Sequence, residues 1–143
     1  MSGVDPSLFG LRVFAVEDEA LIALMLEVML EELGCKVVGV AGTVPRALAQ
    51  VETMGSDIGA AILDVNIGGE KVYPVADALA VRGVPFLFCT GYAATGIIEP
   101  YRDRIVLDKP YSKTALANAL APLAGKHPER HWHRSPDTGR TKR

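Results

Sequence analysis

Short uninterrupted apolar runs alternate along this chain with longer stretches in which apolar residues return every three or four positions. Residues 11–16, 36–41, 58–64, 84–90 and 104–107 are the short runs, rich in Val, Ile, Leu and Phe, and they predict strands buried on both faces. Between them lie the helical periods. Residues 19–33 place Leu21, Met25, Val28, Met29 and Leu33 at helical spacing before Gly34 supplies a stop. Thr43 caps a second helix with Pro45 in its first turn, running to about residue 54. A shorter third helix spans 71–81, and residues 112–123 give the last, with Leu116, Ala119, Leu120 and Leu123 as its stripe. Residues 93–102 form the weakest helical candidate, because Gly96 and Pro100 interrupt them and Ile97-Ile98 are β-branched. Five strand–helix units in alternation predict an α/β, three-layer, doubly wound parallel sheet with right-handed crossovers.

In open sheets of this kind a ligand site lies beyond the carboxyl ends of the strands. Glu17 and Asp18 follow the first strand, Asp64 ends the third, Thr90 ends the fourth and Lys109 follows the fifth. Each has a commoner reading when taken alone. Glu17-Asp18-Glu19 resembles the acidic first turn of a helix, Asp64 a turn residue, Thr90 a strand-end hydroxyl and Lys109 a solvated charge. Their joint placement at one sheet edge favours a site. Three gathered carboxylates repel one another, which is relieved by protonation or by a hard divalent cation. Oxygen-only ligands make Mg2+ the expected metal, of the type that assists phosphoryl transfer, with Lys109 adding positive charge. Asp108 is left out, since adjacent strand residues face opposite ways.

Composition narrows the function. The 143 residues and 49% hydrophobic content suit one domain. Residues 1–124 carry 9 Lys and Arg against 15 Asp and Glu, whereas residues 125–143 carry 6 against 2. An acidic body argues against a DNA-binding domain, which grips phosphates with clustered cations. The basic segment 125–143, with Pro128, Pro136, Gly139 and no apolar period, is expected to be a disordered tail. Its His127, His131, His133 and Trp132 are weaker evidence for a metal site than for solvated disorder. Cys35 and Cys89 lack Cys-x-x-Cys spacing and are expected as buried free thiols. No run approaches the roughly 18 to 20 apolar residues of a membrane span, and residues 1–6 lack a secretory pattern. A cytoplasmic location, with no membrane contact, is the expectation.

Residues 9–124 resemble the receiver domain of two-component response regulators. The resemblance rests on Glu17-Asp18 after a strand, Leu63-Asp64-Val65-Asn66, Thr90-Gly91 and Lys109-Pro110. It implies a flavodoxin-like, CheY-like strand order 2-1-3-4-5. It also implies that Asp64 takes a phosphoryl group from the phosphohistidine of a sensor histidine kinase or histidine phosphotransfer protein. Asp18, Asp64 and the Asn66 backbone carbonyl would bind Mg2+, with Glu17 acting through a water. Lys109 and Thr90 would hold phosphoryl oxygens, and the change would be read out as altered protein contacts around the fourth helix, fifth strand and fifth helix. The Lys109-Pro110 bond is expected to be cis. Such a chain is a phosphoacceptor signalling domain rather than an enzyme.

Two departures sharpen this reading. Many receivers carry Tyr or Phe three residues before the lysine, where this chain has Val106. Phe88-Cys89-Thr90-Gly91-Tyr92 is similar to the Phe-Ala-Thr-Gly-hydrophobic-Tyr signature of an atypical alphaproteobacterial group, although Ala93 replaces the final Tyr. That likeness puts the conformational response in Gly91 and the loop after it. Two other functions are set against the first. A Mg2+-dependent aspartyl-phosphate phosphohydrolase usually needs a second Asp two residues on, where this chain has Asn66. A docking module that takes no phosphate is disfavoured by the intact set Glu17, Asp18, Asp64, Thr90 and Lys109.

Overall fold

A computed structural model describes residues 5–91, 97 and 99–125 of the chain. Strands β1 (Arg12–Val16), β2 (Lys36–Ala41) and β3 (Ala60–Asp64) are followed by a small hairpin of β4 (Asn66–Ile67) and β5 (Glu70–Lys71), then β6 (Phe86–Thr90) and β7 (Val106–Asp108). The helices are α1 (Ala20–Glu32), α2 (Val44–Met54), α3 (Tyr73–Val81) and α4 (Lys113–Leu120). Five strands form one parallel sheet in the order β2-β1-β3-β6-β7. Counting main-sheet strands alone, this is the expected order 2-1-3-4-5.

The central strands β3 and β6 are buried along their whole length, which is why their sequences carry no polar alternation. Odd and even residues feed two cores. Phe14, Leu63, Phe86 and Phe88 face α2 and α3, while Val13, Ala15, Ile62 and Leu87 face α1 and α4. Two helix starts are fixed by hydroxyl caps, as their sequences suggest. Thr43 Oγ1 accepts from the Arg46 amide at 3.2 Å, and Ser112 Oγ accepts from the Ala115 amide at 3.0 Å. The final helix tightens after Leu120 into a 3-10 turn, Ala121–Leu123.

Three expectations need correction. Of the expected stripe, Leu21, Met25 and Val28 face solvent, at 68%, 51% and 46% exposure, while Leu33 is buried and Met29 half-buried, and Leu26 and Leu30 complete the face on the sheet. Helix α1 is apolar nearly all round, so its period held two stripes and the sheet takes only one. The third helix does not begin at Lys71, because residues 66–71 form a hairpin. Gly68 and Gly69, with φ of 59° and 87°, make the two-residue turn of a hairpin that pairs Asn66 with Lys71 and Ile67 with Glu70. The helix starts at Tyr73. The last strand lies at Val106–Asp108 rather than 104–107, because Phe88, Cys89 and Thr90 of β6 pair with residues 106–108.

Of the weak helix expected at 93–102, residues 93–96 and 98 lie outside the described residues, and Glu99–Tyr101 is a single 3-10 turn. Tyr92 and residues 126–143 also lie outside them. Among the described residues no helix is long and apolar enough to cross a membrane.

Candidate functional site

The ends of β1, β3 and β6 carry the buried polar side chains of the described core, Glu17, Asp64 and Thr90. Backbone pairing puts them together. The Glu17 amide donates to the Ala41 carbonyl at 3.0 Å, Asp64 lies beside Cys89 in the sheet register, and the Lys109 amide donates to the Thr90 carbonyl at 2.9 Å. The Lys109-Pro110 peptide is cis, as expected.

Lys109 is the cation of the cluster. Its Nζ stands 2.7 Å from Asp64 Oδ2 and 3.0 Å from Glu17 Oε1. Burial opposes the charge on the ammonium, but the hydrogen bonds to the Asp64 and Glu17 carboxylates outweigh it and raise its pKa. Burial also raises the pKa of Glu17, against the stabilising bonds from Lys109 and from the Glu19 amide at 3.1 Å. Asp18 is exposed, and its Oδ2 accepts from the Gly68 amide at 2.8 Å. The hairpin turn thus closes one side of the acidic group. One carboxylate oxygen from each of Glu17, Asp18 and Asp64 lies within 4.8 Å of the others.

This donor set suits a hard cation: three carboxylates, two of them buried, offer oxygen ligands alone. The structure therefore brings Glu17, Asp18, Asp64, Thr90 and Lys109 to one edge. Asn66 adjoins them, its amide donating to Asp64 Oδ1 at 3.3 Å and its side-chain Oδ1 accepting from Lys71 Nζ at 2.7 Å. Asp108 is exposed and takes no part.

The contacts of Gly68 and Lys71 were missed by the strand-end rule. Their signal was the Gly68-Gly69 pair, which forces a tight hairpin back over the edge. Cys89 is the sheet neighbour of Asp64. Burial pushes its thiol up to about 12, so it is a neutral packing group and not a second nucleophile.

No family model matches the chain. A transcriptional regulatory protein, PdtaR of Mycobacterium tuberculosis, is 32% identical over 113 residues, covering 76% of this chain and 54% of PdtaR. The chain spans about half the length of the curated relatives it matches. The solution structure of SdrG from Sphingomonas melonis Fr1 is 49% identical with a TM-score of 0.70, covering 86% of this chain and 98% of SdrG. The BeF3-activated conformation of SdrG, from Pseudomonas melonis Fr1, is 51% identical with a TM-score of 0.69, covering 80% of this chain and 98% of that one. The response regulator REC domain of PhyR from Erythrobacter litoralis shares the fold, at 24% identity and a TM-score of 0.70, covering 85% of this chain and 95% of that domain. With the sheet order, the acidic edge and a relative half-identical nearly end to end, the chain belongs to the receiver-domain family of response regulators.

Proposed function

We propose that this chain is a phosphoacceptor in a two-component relay, with Asp64 as the nucleophile. The observation that carries this is the fixed Asp64 carboxylate, held by Lys109 on one oxygen and by the Asn66 amide on the other. An Asp64 oxygen attacks the phosphorus of a phosphohistidine on a sensor histidine kinase or histidine phosphotransfer protein. The new P–O bond replaces the P–N bond, and the imidazole leaves with the bonding electrons and takes a proton. Glu17, Asp18 and Asp64, with the Asn66 carbonyl, would hold Mg2+, which when bound neutralises charge on the transferring group. Lys109 swings from the carboxylate to a phosphoryl oxygen, and the Thr90 hydroxyl donates to another. Only one group is transferred and retained, so the chain acts as a signalling acceptor and not as a turnover enzyme. Its output is a change in protein contacts.

The surface beside the edge supports a protein donor. Leu21, Leu24, Met25 and Val28 form an exposed apolar stripe on α1. Met25 also borders a groove of about 270 Å3 that runs to Lys109, Pro110 and Tyr111. A docked partner covering the stripe gains roughly 1.5 to 3 kcal/mol for each large side chain it fully buries.

The test is incubation with Mg2+ and acetyl phosphate, followed by intact mass and phosphate release. Wild type gains one phosphoryl group and Asp64→Asn gains none. Sustained release of phosphate from simple esters would instead favour the phosphohydrolase, and an unchanged mass the docking module. The hydrolase lacks support at Asn66, whose side chain is exposed and engaged by Lys71.

A further inference from the structure

Tyr101 is a loop residue with the environment of a core residue. It belongs to the 3-10 turn Glu99–Tyr101 that precedes β7 and is 7% exposed. Its ring stacks on Tyr73 with centroids 6.1 Å apart, and meets Phe86 and Phe88 edge-on at 5.5 and 5.8 Å. The Arg104 guanidinium lies 4.2 Å from the Phe86 centroid and 5.6 Å from that of Tyr101. The Tyr101 hydroxyl then reaches α3 and donates to Asp77 Oδ1. A ring alone would serve packing; the hydroxyl ties the turn to one point on a helix.

That tie has a route to the phosphoacceptor edge. Phe88 and Thr90 are two apart on β6, so their side chains share the face against which Tyr101 packs. Residues 91–100 are the covalent link from Thr90 to Tyr101. Val106, in register with Phe88, is half-buried on the same face, and β7 brings no ring to Phe88, whose aromatic neighbours are Tyr101 of the turn, Tyr73 of α3 and Phe86 of its own strand. The tie coexists with Lys109 seated on Asp64 Oδ2 and Glu17 Oε1, which are the contacts of an unmodified carboxylate.

We infer that Tyr101 is a positioning residue, whose hydrogen bond to Asp77 holds the Glu99–Tyr101 turn and the ring packed on Phe88 in the arrangement that goes with unmodified Asp64, and so restrains uptake of a phosphoryl group. The inference rests on the proposed function above. Breaking the tie leaves the aromatic packing in place and lowers the cost of moving Thr90 toward a bound phosphoryl group.

The full chain, in saturating Mg2+, is titrated with beryllofluoride while the amide signals of Thr90 and Gly91 are followed by NMR. Tyr101→Phe and Asp77→Ala each bind about fivefold tighter than wild type, the factor set by one hydrogen bond of ordinary strength. Asp77 is exposed on its helix, so Asp77→Ala keeps the fold even if Tyr101→Phe does not. The double variant binds no tighter than either single one, because both remove the same bond. Unchanged or weaker binding in the single variants, or effects that add in the double, overturns the inference. Wild type failing to bind beryllofluoride at all sinks the phosphoacceptor reading instead.

Discussion

Among single residues, Glu17 is a carboxylate held at an electrostatic cost. It is 5% exposed, and burial raises its pKa despite the bonds from Lys109 and the Glu19 amide. The folded protein therefore binds this proton more tightly than the unfolded chain does. Where the folded state holds more protons, stability falls as pH rises, here from the ordinary glutamate value of 4.5 upward through the folded value. A glutamine at this position carries no such penalty. In chelator, Glu17→Gln is therefore more stable than wild type at neutral pH, and the difference closes as pH falls below 4.5. Urea unfolding across that range checks it; a wild type that stays the more stable at neutral pH would contradict it. Glu17, Asp18, Asp64, Thr90 and Lys109 were legible in the sequence because each ends or follows a buried strand, and a parallel sheet brings such ends together. The Tyr101–Asp77 tie was not, since it joins residues on a turn and a helix face that no local pattern connects.

At the scale of elements, α1 shows how far periodicity reaches. Its existence and bounds follow from the pattern, with Gly34 at φ 91° providing the left-handed stop. Its orientation does not, because Leu21, Leu24, Met25 and Val28 make as good a stripe as Leu26, Leu30 and Leu33. Burial of one stripe against the sheet leaves the other exposed. The two are separable by substitution. Leu30→Ala, at a fully buried site, costs about 2 to 5 kcal/mol. Leu24→Glu, at a site 56% exposed, changes stability by no more than about 0.5 kcal/mol. The same Leu24→Glu slows phosphotransfer from a protein donor by about tenfold, the effect of losing roughly 1.4 kcal/mol of docking energy, and leaves labelling by acetyl phosphate unchanged. An equal loss with both donors would place the effect in the site and not on the docking face. The hairpin of β4 and β5 was missed for a different reason, since two-residue strands carry too few positions for any period to register.

For the whole molecule, the site exists only when the fold does. Glu17 and Asp18 lie far along the chain from Asp64, and only the pairing of β1 with β3 sets their oxygens within 4.8 Å of one another. An unfolded chain offers no comparable group, so a divalent cation bound at this edge stabilises the fold by mass action. The acidic balance of the body, 15 acidic residues against 9 basic ones in residues 1–124, adds a general attraction for cations. Each tenfold rise in Mg2+ above its dissociation constant adds about 1.4 kcal/mol, which for a domain of this size raises Tm by roughly 3 to 6 °C. General screening of the acidic body also stabilises, but it follows ionic strength and not the identity of one side chain. The expected result is a Tm that climbs with Mg2+ at constant ionic strength in wild type. Asp18→Asn, which keeps the shape and the Gly68 contact point while removing a charge, flattens that climb. A slope as steep in Asp18→Asn as in wild type would assign the stabilisation to screening and remove the metal from this edge.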